Sequence, residues 1–427
     1  MKLLKSHKIL SFRLTHTYIY VTILFLIMKS ILLFAVLKKS DFQTPDSIGY
    51  LELSKNMAQY YIERPSSTWD LSLIRTPGYP FFLALFGSST KTIVVFQLLI
   101  HILISLTSIF VIKKLIPQKF TNAPIIAFIM IQIESSLFVY TYRILSDLLF
   151  ALFVILLILL ICTKHNHKKI GKIDAALFLI LLSILMIRPV GIVLFPIFII
   201  MFLVTEYKIL YARLFIFTAL IFGAYSFYNY SITGVFTNST IQNHNLLYWE
   251  GAGAKSTSTQ VGLDLVQNTE RARSVEIIGE NPTHQLRDSY NQKRAIELIA
   301  ENKLSFIEMH IIGVAKILFG PNRYEITAIF SDTGRIAVPK WFMQVLVGIS
   351  LSITILISVL GMIGALIYLN RGPSFKLISI TIMSFLIISS GPQAYGRFRV
   401  PIAALLIIFA ALVLAEKRFC FRNIRKI

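Results

Sequence analysis

Apolar runs near or above 17–20 residues recur along the whole of this 427-residue chain. Each is long enough to cross a hydrocarbon core of about 30 Å. Composition agrees: 56% of residues are hydrophobic, against about 45–50% in a soluble domain. The expectation is an all-α polytopic membrane protein. Candidate spans are 18–37, 92–112, 123–140, 147–161, 173–187, 191–204, 212–228, 341–369, 377–389 and 401–415, about ten.

Charge orients these spans. The net charge is +21, and its distribution reads as topology and attraction to anionic lipid rather than nucleic-acid binding. Basic clusters occur around Lys8 and Arg13, Lys113 and Lys114, Lys164 to Lys172, Lys208 and Arg213, Arg371 and Lys376, and Lys417 to Lys426. They alternate as ten spans require if both termini are cytoplasmic. The long segments 38–90 and 229–340 are then expected on the outer face. The basic start, 1–20, leads into an apolar run with no small-residue cleavage site, so it is read as a retained first helix. The two cysteines, Cys162 and Cys420, give no disulfide framework and no thiolate metal site.

Three units follow: a transmembrane module 1–228 that includes the outer loop 38–90, an outer segment 229–340, and C-terminal spans with a basic tail, 341–427. The stretch from Gly251 to Thr259 reads as flexible. The periodicity of 285–318 reads as helix. Its apolar part, 306–318, is expected to lie along the interface, because counting it as a span would place Arg371 and Lys376 outside.

Polar residues that are costly beside a bilayer gather on the outer side: Asp46 and Arg75 in the first loop, Arg143 and Asp147 before the fourth span, Arg188 after the fifth, and Arg397 and Arg399 in the last loop. Each has a plain alternative. Asp46 could be solvated, Arg188 could be a snorkelling anchor, and Arg143 with Asp147, four apart, could be a helix-surface pair. Arg397 and Arg399 run against the positive-inside pattern. Lys29, inside the first span, must snorkel, pair or face a protein interior. His165 and His167 sit in a basic loop and read as solvated. Tyr248, Trp249 and Trp341 read as interfacial anchors.

The order Asp46-x3-Tyr50-x7-Ala58, Arg75-Thr-Pro-Gly-Tyr-Pro80, Arg143-Ile-Leu-Ser-Asp147 and Arg188-Pro-Val-Gly191 resembles the GT-C superfamily of membrane glycosyltransferases. The similarity is to the branch of protein mannosyltransferases, the lipid A aminoarabinose transferase and RgtA/B/C/D-like enzymes, and covers roughly 41–240. Gly396-Arg-Phe-Arg-Val-Pro401 resembles a closing motif of the bacterial members. The resemblance implies a GT-C-like fold whose first outer loop carries juxtamembrane helices. It also implies a polyprenyl-phosphate sugar donor, an acceptor outside the cytoplasm (a lipid-linked glycan, a lipid or a protein) and inversion at the anomeric carbon. Asp46 matches the first-loop acidic residue, the expected catalytic base, and Asp147 matches the second acidic position. Several relatives have two adjacent acids in the first loop, whereas Ser47 follows Asp46 here. That leaves a divalent metal an open question, since one isolated carboxylate is a poor site. The resemblance matches no motif in segment 229–340.

The chemistry fits these residue types. A polyprenyl phosphate is a good leaving group and needs no general acid, unlike the paired carboxyls of glycosidases. One base suffices for the acceptor hydroxyl, and arginines suit the phosphate because the guanidinium offers a fixed fork. Arg188 with Arg397 or Arg399 is expected at the donor phosphate, while Tyr50, Arg75 and Arg143 position the loop or the substrate. Two other function classes use the same arginines: a flippase for a lipid-linked saccharide, which needs no base, and a polysaccharide polymerase or ligase, which releases polyprenyl diphosphate.

Overall fold

The structure is a computed structural model, described here for Ile23, Leu24, Ile27, Lys29, 42–63, 69–116, 122–165, 171–331 and 339–416, with only the backbone at 69–70 and 330–331. Among these residues all regular structure is helical. Six helices are long and apolar enough to cross a membrane by length and composition: Thr90–Leu115, Asp147–Lys164, Lys208–Thr233, Lys303–Ile329, Lys340–Tyr368 and Gly396–Ala415. Three shorter apolar helices join them, Ala123–Ile133, Pro189–Val204 and Pro373–Ser389. The expected first span lies outside the described residues apart from four positions. The basic tail after Glu416 also lies outside them.

The helix Val400–Ala415 is the hub. It is apolar on every side, and every residue from Val400 to Val413 is buried. A helix hydrophobic all round is sheltered from water by protein or by lipid, and the burial of this one places it inside the bundle. Helix Lys340–Tyr368 runs parallel to it. Thr354 meets Arg399 near the start of the hub, and Tyr368 donates to Glu416 just past its end, at 2.7 Å. Helices Asp147–Lys164 and Lys172–Ile187 form an antiparallel pair pinned at both ends. Lys164 Nζ bonds Asp174 at 2.5 Å at one end, and Arg188 bonds Asp147 at the other.

The run 306–318, expected along the interface, lies within the helical stretch Lys303–Ile329. Lys303–Ile329 qualifies as a span by length and composition, but it is broken at Gly320-Pro321-Asn322, with Asn322 at φ 54. Its His310 and Gly320 ends both meet the connection 390–396. Gly251 to Thr259 is not a flexible run: Ala252–Thr259 is helical, and its small residues let Gly253 press against Pro392 and Met309. Tyr248 is no interfacial anchor, because it is buried in a small core with Leu247, Ala295 and Leu298. His165 is not solvated; its ring contacts Tyr211 OH at 3.1 Å and Ser374 Oγ at 3.0 Å. His167 lies outside the described residues. Lys29 takes the pairing option, with Nζ 3.1 Å from His101 Nδ1.

Candidate active site

The first loop is folded onto the bundle by two local devices. Thr44 and Ser47 form a capping box at the start of helix Pro45–Lys55, with Thr44 N donating to Ser47 Oγ at 2.8 Å. Ser47 Oγ also donates to Ile144 O at 2.7 Å. Ser47 is fully buried, so a second acid at this position would place a carboxylate against a carbonyl. The hydroxyl therefore accounts locally for the missing second acid. At the other end of the loop, Gly78 starts a short helix against the end of helix Lys172–Ile187. A Cβ there would sit 2.6 Å from Met186 O, so the close approach requires glycine. The same approach brings Arg75 to within reach of Asp46 and sets the loop beside Arg188.

Asp46, Arg75, Asp147, Arg188 and Arg397 form one alternating chain of charge. Arg75 Nη2 donates to Asp46 Oδ1 at 2.7 Å, and Arg397 Nη1 donates to Asp46 Oδ2 at 2.8 Å. Arg397 Nε donates to Asp147 Oδ2 at 3.0 Å, and Arg188 Nη1 donates to Asp147 Oδ1. Arg397 is therefore the bridge between the two carboxylates. Three guanidinium groups meet two carboxylates, which leaves an excess positive charge. The arrangement lies at the end of the bundle opposite the Lys164–Asp174 and Arg371–Glu416 pairs.

The two aspartates differ in access. Asp46 is 34% exposed in its side chain, whereas Asp147 is 0% exposed. Burial pushes the Asp46 carboxyl up, but the charges and hydrogen bonds of Arg397 and Arg75 outweigh it and hold it at about 2. Asp147 has no free face for a substrate: each oxygen accepts from an arginine. Asp147 is thus placed as the shared partner of Arg188 and Arg397. Tyr50 supports the first loop. Its ring lies under the Arg75 guanidinium at 4.8 Å, and its hydroxyl is 3.3 Å from Ser146 Oγ.

A cleft of about 650 Å³ opens above this chain. Asp46 and Arg397 border it, with Tyr140 and Arg143 on one wall and Asn322, Arg323, Tyr324 and Glu325 on another. Arg143 is buried, and its carbonyl accepts from Gln97 Nε2 at 2.7 Å. Tyr140 OH donates to Glu325 Oε1 at 3.0 Å, tying the two walls together. Gly396 allows the last loop to pass Asn322, whose side chain a Cβ would strike.

Arg399 is a correction. It is fully buried and faces away from the cleft. Its Nε donates to Glu134 Oε1 at 2.9 Å and its Nη1 to Ile317 O at 2.7 Å. Residues Gly396–Arg399 form a 3-10 turn. With about three residues per turn, positions two apart point to different sides. The same turn thus sends Arg397 to the aspartates and Arg399 into the core, where it cannot bind a donor phosphate. Glu134, its partner, escaped the sequence reading. The signal was present, since Glu134 is an acid inside the apolar run 123–140. It also caps helix Ser135–Tyr140 by accepting from Leu137 N at 2.8 Å.

In this arrangement both carboxylates are engaged by arginines. Their oxygens accept guanidinium N–H groups, and the Arg397 cation lies between them. No group of three His, Cys, Asp or Glu among the described residues could hold a metal ion.

No protein-family model matches the chain, and no curated protein matches it significantly. Two solved structures share a distant likeness. The Archaeoglobus fulgidus oligosaccharyltransferase, solved in complex with Zn and sulfate, is 12% identical at a TM-score of 0.37. The match covers 80% of this chain and 40% of that one. ArnT from Cupriavidus metallidurans in the apo state is 14% identical at a TM-score of 0.39, covering 92% of this chain and 78% of that one. This chain thus spans well under two thirds of the oligosaccharyltransferase. At these scores neither likeness carries over a residue or an activity.

Proposed function

We propose that this chain is an inverting glycosyltransferase of the bacterial inner membrane. It moves a sugar from a polyprenyl-phosphate donor to a lipid-linked glycan, lipid or protein acceptor on the outer face. The observation that carries this function is Arg397, held at the cleft floor between a partly exposed carboxylate and a buried one. The excess positive charge suits a lipid phosphate, and Asp46 supplies a base at the same spot.

In the arrangement seen, Asp46 is a weak base because two arginines hold it. A donor phosphate at the cleft floor competes with Asp46 for Arg397. When Arg397 turns to the phosphate, Asp46 loses one of the two cations that depress it and becomes more basic. The acceptor hydroxyl then passes its proton to Asp46, its oxygen bonds to the anomeric carbon, and the carbon–oxygen bond to phosphate breaks with both electrons on the leaving phosphate. Arg397 and Arg188 stabilise that charge, and Asp147 keeps both guanidinium groups aimed. Arg143 adds positive charge from the cleft wall.

The test uses purified full-length protein in lipid vesicles with a polyprenyl-phosphate-linked sugar and a mixture of envelope-derived acceptors. Free polyprenyl phosphate is the expected lipid product. Movement of the donor across the bilayer without cleavage, or release of polyprenyl diphosphate from a diphosphate-linked substrate instead, overturns the proposal.

A further inference from the structure

A second cavity, of about 310 Å³, lies between the first loop and the segment 229–340 and shares no bordering residue with the cleft. It is closed on the loop side by backbone ties: Thr240 N donates to Leu73 O at 3.0 Å, and Ser239 Oγ donates to Ile74 O at 2.7 Å. Ile74 and Ile241 give it an apolar wall, while Arg287, Asp288 and Asn291 give it polar groups. Asn291 is only 4% exposed, and its Oδ1 is buried without a hydrogen-bond partner. An acceptor left unmade in this way is costly, and such a group in a cavity marks a place for a donor. Asp288 is a second acceptor, with one oxygen already receiving Asn243 Nδ2 at 2.8 Å.

We infer that this cavity binds one saccharide unit, as an outlying subsite for a glycan acceptor. A sugar ring presents hydroxyls that both donate and accept around apolar C–H faces. Hydroxyl protons go to Asn291 Oδ1 and Asp288, hydroxyl oxygens accept from Arg287, and the isoleucines cover the C–H face. His244 and His284 complete the border, so the cavity mixes donors and acceptors as a polyhydroxylated ring requires. The volume lies at the low end of small-molecule pockets, about 300–1,000 Å³, which matches one sugar. The cavity adjoins Ile74, the residue before Arg75, so an occupant would sit beside the loop that holds Asp46. The acceptor role rests on the proposed transfer; the saccharide site itself does not.

Saturation-transfer NMR on the full-length protein in detergent, with glucose, galactose, mannose or N-acetylglucosamine each added alone, tests the site. At least one sugar gives a saturable signal with the wild type. Asn291→Leu and Arg287→Met each weaken it about tenfold or more, the loss of one good hydrogen bond. Asp46→Asn, in the cleft, leaves it unchanged, so the result is independent of transfer. The inference is overturned if no sugar saturates, if the signal survives both cavity variants, if Asp46→Asn removes it, or if inorganic phosphate alone occupies the cavity. Arg287 is only partly buried, so its variant reports even where Asn291→Leu fails to fold.

Discussion

Asp46→Asn separates base catalysis from structure. The change removes a charge that accepts from Arg75 and Arg397 but keeps the shape of the side chain. The lowering of the carboxyl from 3.8 to about 2 corresponds to about 2 kcal/mol in favour of the ionised form. Because the side chain is 34% exposed, solvent screening reduces this to about 1 kcal/mol. A depressed carboxyl contributes stability that is fully present above its unfolded value and lost as pH falls through its folded one. The contribution therefore fades between about pH 3.8 and about 2 and is intact at neutral pH. Asp46→Asn should thus cost only about 1 kcal/mol of stability, yet lower transfer about 10²–10⁴-fold as lost general-base catalysis. The assay is initial-rate release of free polyprenyl phosphate, read beside thermal unfolding in the same detergent. The acid limbs carry a further consequence. The limb of kcat/KM reports the free enzyme and that of kcat the loaded enzyme. If the donor draws Arg397 away from Asp46, the kcat limb lies at higher pH than the kcat/KM limb. Near-wild-type transfer by Asp46→Asn refutes the base; a kcat limb at or below the kcat/KM limb refutes the exchange of Arg397.

Three further outcomes follow from the geometry. Arg397→Lys keeps the charge but cannot reach both Asp46 and Asp147 as a fork, so transfer falls at least tenfold at unchanged folding, measured by kcat/KM against donor. Glu134→Gln removes the charge opposite buried Arg399 and lowers stability by about 3–5 kcal/mol; the donor KM of the surviving folded protein stays unchanged, and a rise in KM would return Arg399 to the phosphate. Gly78→Ala meets backbone at Met186, costing about 1–3 kcal/mol as an overpacked contact, with a lower unfolding midpoint and reduced transfer as the Arg75 loop is displaced.

Much of the architecture is legible before any coordinates. Runs such as Val400 to Ala415 contain nothing polar, so a buried helix is their only stable state. The alternation of basic segments also puts Asp46, Asp147, Arg188 and Arg397 at one end of the bundle. Pairing is not legible, because it depends on rotation about each helix or turn rather than on position along the chain. Arg397 and Arg399 look equivalent in sequence, and only the 3-10 turn parts them. Asp147 reads in sequence as a second acidic position, and only the structure shows Arg188 and Arg397 pairing with its two oxygens. Outside Lys303–Ile329, segment 229–340 offers no long apolar run to fix it. Its helices form by packing small residues such as Gly253 against Pro392, a long-range contact that local periodicity does not reveal.

On the proposed mechanism, the burial of Asp147 gives the second aspartate a purpose in a single proton transfer. A lone base beside a phosphate-binding arginine would pair with that arginine and be disabled by it. Here Arg397 has a permanent partner in Asp147, which is 0% exposed and cannot leave, and an exchangeable one in Asp46. The buried carboxylate holds Nε, so Nη1 alone has to move from Asp46 to an incoming phosphate. The switch costs one part-buried hydrogen bond rather than the desolvation of a free cation, a much smaller penalty. Asp147→Asn weakens that hold while leaving Asp46 in place. It should therefore reduce kcat more than it shifts the acid limb, whereas Arg75→Met, which removes the second cation from Asp46, should move the limb upward. If the two variants gave the same pH profile, the division of labour between the carboxylates would be wrong.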